Sequence, residues 1–203
     1  MKLDVMAGST VCRAPGLRRR QVMALAGAWA LATPQLAAAA PRPTGWVMPR
    51  LPAPPIGITG ADGRTTALAA ALDGKITAVQ LMFTGCSSTC PIQGALFAAL
   101  AGRLRSTGVQ LLSISIDALG DSPPSLAAWQ ARFGRHPAWG AAVPGVADVD
   151  RLADFMKGSP AKSGTHTAQV FLFDRRSQLC YRTADAPGVG EIEALLAQLA
   201  QLG

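Results

Sequence analysis

Aromatic side chains are scarce in this chain: four Trp, six Phe and one Tyr, 5% of the sequence. Charge is scarce as well, with Asp, Glu, Lys and Arg together making only 15%. A nucleic-acid-binding domain shows a dense Lys/Arg stripe, commonly with interleaved aromatics, and neither is present. The net charge of +7 changes nothing once it is located. Lys2, Arg13, Arg18, Arg19 and Arg20 precede residue 21 against one acid, Asp4, whereas from Ala40 onward 14 basic side chains stand against 11 acidic ones. Histidine is limited to His136 and His166. What the chain has in quantity is apolar residues, at 49%, enough to build a core and to exclude wholesale disorder.

Part of that apolar content belongs to the N-terminus. Arg18-Arg19-Arg20 runs into the apolar segment from Val22 to Ala32, and small residues follow at Ala37 to Ala40. A basic stretch, a short apolar stretch and an A-x-A site in this order predict an export signal over residues 1–39, with the cut before Ala40. The apolar run is well short of the ~20 residues of a spanning helix. Arg19-Arg20 followed by Gln21-Val22-Met23 also fits a twin-arginine signal, and an uncleaved signal acting as an anchor is the alternative. Cys12 lies ahead of the apolar run and leaves with the signal. The expected location of the mature protein is the periplasm.

Six prolines between Pro41 and Pro55 predict a linker over residues 40–55, because they cannot sustain a helix or an interior strand. The folded domain is expected from Ile56 to the C-terminus. Ile56–Thr59 and Arg64–Thr66 read as a hairpin across a Gly-containing turn. Lys75–Phe83 is an apolar run suited to a strand covered on both faces. A helix follows from Cys90/Pro91 to Arg105, with Ile92, Leu96, Leu100 and Leu104 on one expected face. Val109–Ile116 is a second buried strand. Helices are expected from Pro123 to Phe133 and from Asp148 to Met156, and the strands Ala168–Phe173 and Leu179–Arg182 pair as a hairpin. Gly190–Leu202 closes the chain as a helix. A β-α-β half, a β-hairpin and a last helix make an α/β, thioredoxin-like fold, here with an added N-terminal β-hairpin.

The chemistry-bearing segment is Phe83-Thr84-Gly85-Cys86-Ser87-Ser88-Thr89-Cys90-Pro91. A buried strand ends, a small polar loop follows and a helix begins. Cys90 is therefore expected at the helix N-terminus, where free N–H groups and the macrodipole favour a thiolate. Three intervening residues let both sulfurs converge, to share a soft metal or to close a disulfide. A two-residue spacing would instead give the usual thioredoxin redox motif. A plain stabilising disulfide is the simpler alternative, although so short a loop constrains little chain.

Two sulfurs do not complete a metal site. His136, in the turn Gly134-Arg135-His136-Pro137, reads as a solvated loop residue. His166 lies just before the apolar strand, and in a thioredoxin fold that loop lies beside the cysteine loop. Two thiolates and one imidazole suit copper, the thiolates serving Cu(I) and the imidazole also Cu(II). A closed zinc site would want a fourth protein ligand, and none is evident.

The segment Phe83–Pro91 resembles the F-T-x-C-x-x-x-C-P signature of the Sco/SenC family. Ser115–Pro123 is similar to that family's S-x-D-P-x-x-D-T-P segment, Trp139 with Gly145 to its W…G stretch, and Gly164–Thr167 to the segment carrying its metal histidine. The likeness covers about Ile56 to Leu202. It implies copper held by Cys86, Cys90 and His166. It also implies delivery to, or thiol maintenance of, the binuclear copper site of a cytochrome c oxidase subunit, with another periplasmic cuproprotein as the alternative recipient. Ala118 and Leu119-Gly120 depart from the pattern, as does the short interval between Cys90 and His166. The rival function is a thiol–disulfide oxidoreductase in which Cys86 and Cys90 are the catalytic pair and His166 tunes thiol acidity. Cys180 reads as a buried, inert strand thiol, with redox exchange or dimerisation as the other reading. Asp117 and Asp121 either orient the site or are solvated loop acids, and Met82 reads as core.

Overall fold

The computed structural model describes residues 43–104, 108–157 and 167–202. In chain order the strands and helices are Gly45–Pro52 (β1), Gly57–Gly60 (β2), Thr65–Ala67 (β3), Leu68–Leu72 (α1), Ile76–Met82 (β4), Thr89–Arg103 (α2) and Val109–Ser115 (β5). Pro123–Ala131 (α3), Trp139–Pro144 (β6), Val149–Lys157 (α4), Val170–Phe173 (β7), Gln178–Arg182 (β8) and Val189–Leu202 (α5) complete the set. The strands form one sheet in the order β1-β8-β7-β4-β5-β6-β2-β3. β4, β5 and β6 run parallel, while β7 lies antiparallel against β4 and β8 against β7.

That order follows from the sequence pattern around β4. Every residue of Ile76–Met82 is buried, as expected of a central strand with helices on both faces. Ile76, Ala78 and Met82 join a core with Phe97 and Leu100 of α2, Trp129 of α3 and Leu196 of α5. Val79 and Leu81 point the other way, into a second core with Leu68 and Leu72 of α1 and Leu152 and Met156 of α4. This alternation is the period-two geometry of a strand read directly off the core lists. The β4-α2-β5 crossover, the β7–β8 hairpin and the closing helix α5 make the thioredoxin-like fold, and β2–β3 is the added hairpin.

Two expectations are corrected, and one strand is added. Residues 45–52 are not linker: β1 pairs antiparallel with β8, Gly45 opposite Arg182 and Pro52 opposite Gln178. The strand lies at the sheet edge, where proline's missing N–H breaks no ladder, and its register shifts between Trp46 and Leu51, the stretch that holds Pro49. Trp46 packs edge-on against Tyr181 with ring centroids 5.2 Å apart, and Arg50 Nη1 reaches Asp174 Oδ2 at 2.8 Å. The ordered domain thus begins well before Ile56. Second, the buried face of α2 is Cys90, Gln93, Gly94, Phe97, Leu100 and Ala101, while Ile92 is 70% exposed. An i, i+4 row of large apolar residues was the wrong guide because the true face is built on small and polar residues. The sequence reading had no element at Trp139–Pro144, which forms a strand that joins the hairpin to the parallel sheet through Thr59 opposite Val143.

The signal reading for residues 1–39 lies outside the described residues. Among those residues no helix is long and apolar enough to cross a membrane.

Candidate metal centre

β4 delivers the chain to the site and α2 carries it away. After Met82, the Cys86 N–H donates to the Phe83 carbonyl at 3.2 Å, turning the loop back on itself. α2 then starts at Thr89, with Ser88 in the N-cap position but making no side-chain cap. The cap is supplied by sulfur instead: the Cys90 N–H donates to Cys86 Sγ at 3.4 Å, and the Ser88 hydroxyl lies 3.7 Å from the same atom. Pro91 falls in the first turn, where its lack of an N–H costs no intrahelical bond. Both cysteines are reduced and buried, Cys86 at 6% and Cys90 at 1% exposure.

The acidities of the two thiols are reversed from expectation. Burial pushes the Cys86 thiol up, but hydrogen bonds from Cys90 and Ser88 outweigh it and bring the value down to about 7. Burial pushes Cys90 up to about 12, and the adjoining Cys86 sulfur adds to the push. Cys90 is in the helix, so its side chain projects sideways into the core rather than along the axis towards the free N–H groups. Cys86 lies ahead of the helix and meets them. The sulfur that benefits from the helix start is thus the one outside it.

A carboxylate fixes the loop. Asp121 accepts from the Thr84 N–H at 3.0 Å, from the Thr84 hydroxyl, and from the Ser115 hydroxyl at 2.6 Å. It thereby ties the cysteine loop to the end of β5, and it is buried. Asp117 plays a local part: its Oδ1 accepts from the Gly120 N–H at 2.9 Å, and a side chain at Gly120 would collide with the Asp117 carboxylate. Ser122 and Ser125 then cap α3 reciprocally, so the polypeptide leaves the site in a fixed direction. Thr84 and Ser115 were not singled out from sequence. Their signal is a small hydroxyl residue at the end of each of two adjacent parallel strands, next to an acid in the following loop.

Of the expected metal ligands, the structure brings Cys86 and Cys90 together, and His166 lies outside the described residues. Among the described residues no group of three His, Cys, Asp or Glu side chains could hold a metal. His136 sits in the turn before β6, its Nδ1 accepting from the Ala138 N–H at 3.2 Å. Met82 is core. Cys180 is buried in β8, its Sγ donating to the Gln178 carbonyl at 3.2 Å. Burial and the Asp174 charge push that thiol up to about 11. The donor set fits copper: two adjacent soft sulfurs, one of them with its thiol lowered to about 7, are what Cu(I) prefers.

Comparison with known proteins agrees with this fold. No curated protein sequence matches the chain. Among solved structures, a SCO1/SenC family lipoprotein from Bacillus anthracis is similar at a TM-score of 0.65 and 21% identity, over 76% of this chain and 99% of that one. The copper-bound ScoI of Arabidopsis thaliana is similar at 0.60 and 19%, over 73% and 98%. Copper-bound yeast Sco1 is similar at 0.58 and 20%, over 71% and 87%. At such identities these structures establish the shared fold. A model of the SCO1/SenC family matches residues 57–201, from the first strand of the hairpin to the last helix, and the chain therefore belongs to the SCO1/SenC family.

Proposed function

We propose that this protein is an exported copper carrier that binds copper through Cys86, Cys90 and His166. The observation that carries this reading is the paired sulfur geometry at the start of α2. Two reduced thiols meet where the loop enters the helix, and the outer one, Cys86, is acidic enough to lose its proton near neutral pH. Copper displaces the remaining protons, and the two thiolates supply the soft ligation that Cu(I) favours. An imidazole from His166 adds the nitrogen that Cu(II) wants. The acceptor is a copper-binding subunit of cytochrome c oxidase or another exported cuproprotein. Support comes from the copper-bound structures of similar fold and from the similar BsSco, described as one of the Sco family of cytochrome c oxidase assembly proteins. The basic and apolar segments before Ala40 carry the export reading, checked by N-terminal sequencing of the exported form.

One observation favours a second reading, thiol–disulfide exchange. A low thiol at Cys86 beside a high one at Cys90 is the division of labour between an attacking and a resolving cysteine. In that reaction the Cys86 thiolate attacks an acceptor disulfide and releases one acceptor sulfur. Cys90, giving up its proton, then displaces the other. The acceptor gains two electrons and Cys86–Cys90 closes as a disulfide.

His166→Ala and Cys86→Ser separate the two. The carrier reading expects His166→Ala to keep Cu(I), lose stable Cu(II) and fail to metallate an acceptor domain. It also expects that variant to reduce a test disulfide within about tenfold of wild type. Cys86→Ser should lose both activities. Normal metallation by His166→Ala removes the histidine from the site, and a wild type that reduces the acceptor but never passes copper leaves the exchange reading.

A further inference from the structure

The described core handles its polar groups with care, and one of them stands apart. On the α2 side of the sheet, Gln80 Nε2 donates to Ser113 Oγ at 2.7 Å, and Trp139 Nε1 donates to the same hydroxyl at 2.9 Å. Gln93 has no such arrangement. It is 3% exposed on the buried face of α2, and both Nε2 and Oε1 lack a hydrogen-bond partner. Gln80 Oε1 and Trp129 Nε1 are also unpartnered, but each is a single atom. Gln93 buries a whole amide unsatisfied, which is a standing cost to the fold.

Its position says what the amide is for. Gln93 follows Cys90 by three residues, so the two side chains share a face of α2, one turn apart. Long side chains on a helix lean back over the turn N-terminal to their own Cα. Gln93 is thus the side chain placed to reach back toward the turn that carries Cys90, and its amide makes no hydrogen bond to a sulfur in this structure. Cys86 Sγ already has donors from the Cys90 N–H and from Ser88. A second thiolate, buried more deeply, needs donors of its own when it ligates a metal, and an amide NH2 supplies two.

Resting on the copper reading above, we infer that Gln93 is a positioning residue of the metal centre, its Nε2–H donating to the Cys90 sulfur when that sulfur ligates copper. In this structure the amide has no partner, and a Cys90 sulfur that ligates copper would give it one. Gln93 does not touch the copper. It orients one of the sulfurs that do.

The test is a pair of substitutions read in both states. Gln93→Met keeps the volume and removes the amide, and Gln93→Glu keeps the shape but replaces the donors with an anion. In the copper-free protein Gln93→Met should raise Tm by about 2–4 °C, because a buried unsatisfied group is removed. In the loaded protein it should lower Cu(I) affinity by about tenfold and shift the Cu(II) charge-transfer band. Gln93→Glu should lower affinity at least as far. A role confined to folding predicts the reverse for the copper-free protein, a lower Tm in Gln93→Met, and that result overturns the inference. So does a Gln93→Met protein whose copper affinity and band match wild type. A wild type that takes up no copper at all overturns this inference and the copper reading together.

Discussion

Cys86 and Cys180 line the same side of the sheet and are both buried, yet one thiol falls to about 7 and the other rises to about 11. Burial acts upward on each. At Cys180 burial is the largest push, and at Cys86 what faces the sulfur overcomes it. Cys86 meets the N–H groups of a helix start, whereas Cys180 meets a strand carbonyl and lies within the field of Asp174. Each region also has an anchoring carboxylate. Asp121 joins two loops through Thr84 and Ser115, while Asp174 holds its own turn through the Arg176 and Gln178 N–H groups and takes Arg50 from β1. One carboxylate secures a reactive loop, and the other secures a hairpin and a sheet edge. A cysteine's acidity in this fold is set by depth and by its neighbouring dipoles together: burial is the main cause of the rise at Cys180, and at Cys86 the hydrogen bonds at the helix start outweigh it.

The sharpest way to break this comparison is thiolate population. At pH 7 Cys86 should far exceed Cys180 in thiolate, so a haloacetamide followed by peptide mass spectrometry should mark Cys86 first. Marking of Cys90 or Cys180 ahead of it would end the assignment. The same thiols give a pH signature. Cys86 is depressed in the folded state, so its contribution to stability is present above its ordinary value near 9 and is lost as pH falls towards 7. Cys90 and Cys180 are raised, so folding loses stability as pH climbs past 9. Denaturant midpoints of copper-free protein should show the low-pH limb flatten in Cys86→Ser and the high-pH limb shrink in Cys180→Ala.

Next in size is the anchor at the reactive loop. Asp121→Ala leaves the Thr84 N–H and hydroxyl and the Ser115 hydroxyl without their acceptor, and should cost about 3 kcal/mol in chemical denaturation. A loss under about 1 kcal/mol would mean the loop is held by other means. The smallest effect belongs to the other region. Arg50→Ala removes a half-buried ion pair with Asp174 and should cost less than about 1 kcal/mol. It should also push the Cys180 thiol further up, since Arg50 is the charge that draws it down. An unchanged Cys180 titration would break that link.

The two regions were not equally legible in the sequence. The apolar run Ile76–Met82, the cysteine spacing and the proline-led helix at Pro123 all follow from local pattern, and the strands of the β7–β8 hairpin lie within two residues of where patterning puts them. The first strand escaped because its prolines argue against an interior position and say nothing of an edge. The α2 face escaped because Gly94 is buried against the Phe133 ring, which a side chain there would strike, and Gln93 is buried as well. A hydrophobic row finds neither. At the site, spacing identifies the two cysteines but not which one ionises, since that depends on where a loop sulfur sits relative to the first helical N–H. The bond between Thr84 and Asp121, 37 residues apart, has no local trace at all.

The sulfur that closes the start of α2 gives the protein a built-in gauge. An amide proton donating to a thiolate is held by a charge, whereas the same proton facing a neutral thiol or a disulfide sulfur is not. Protonation, metal loading and oxidation at Cys86 therefore all reach the backbone of the next turn through one contact, Cys90 N–H to Cys86 Sγ. The Cys90 amide resonance reports which of these states the protein is in, without any label. The same contact means that deleting Cys86 also uncaps a fifteen-residue helix, so variants at this position frustrate folding and chemistry together.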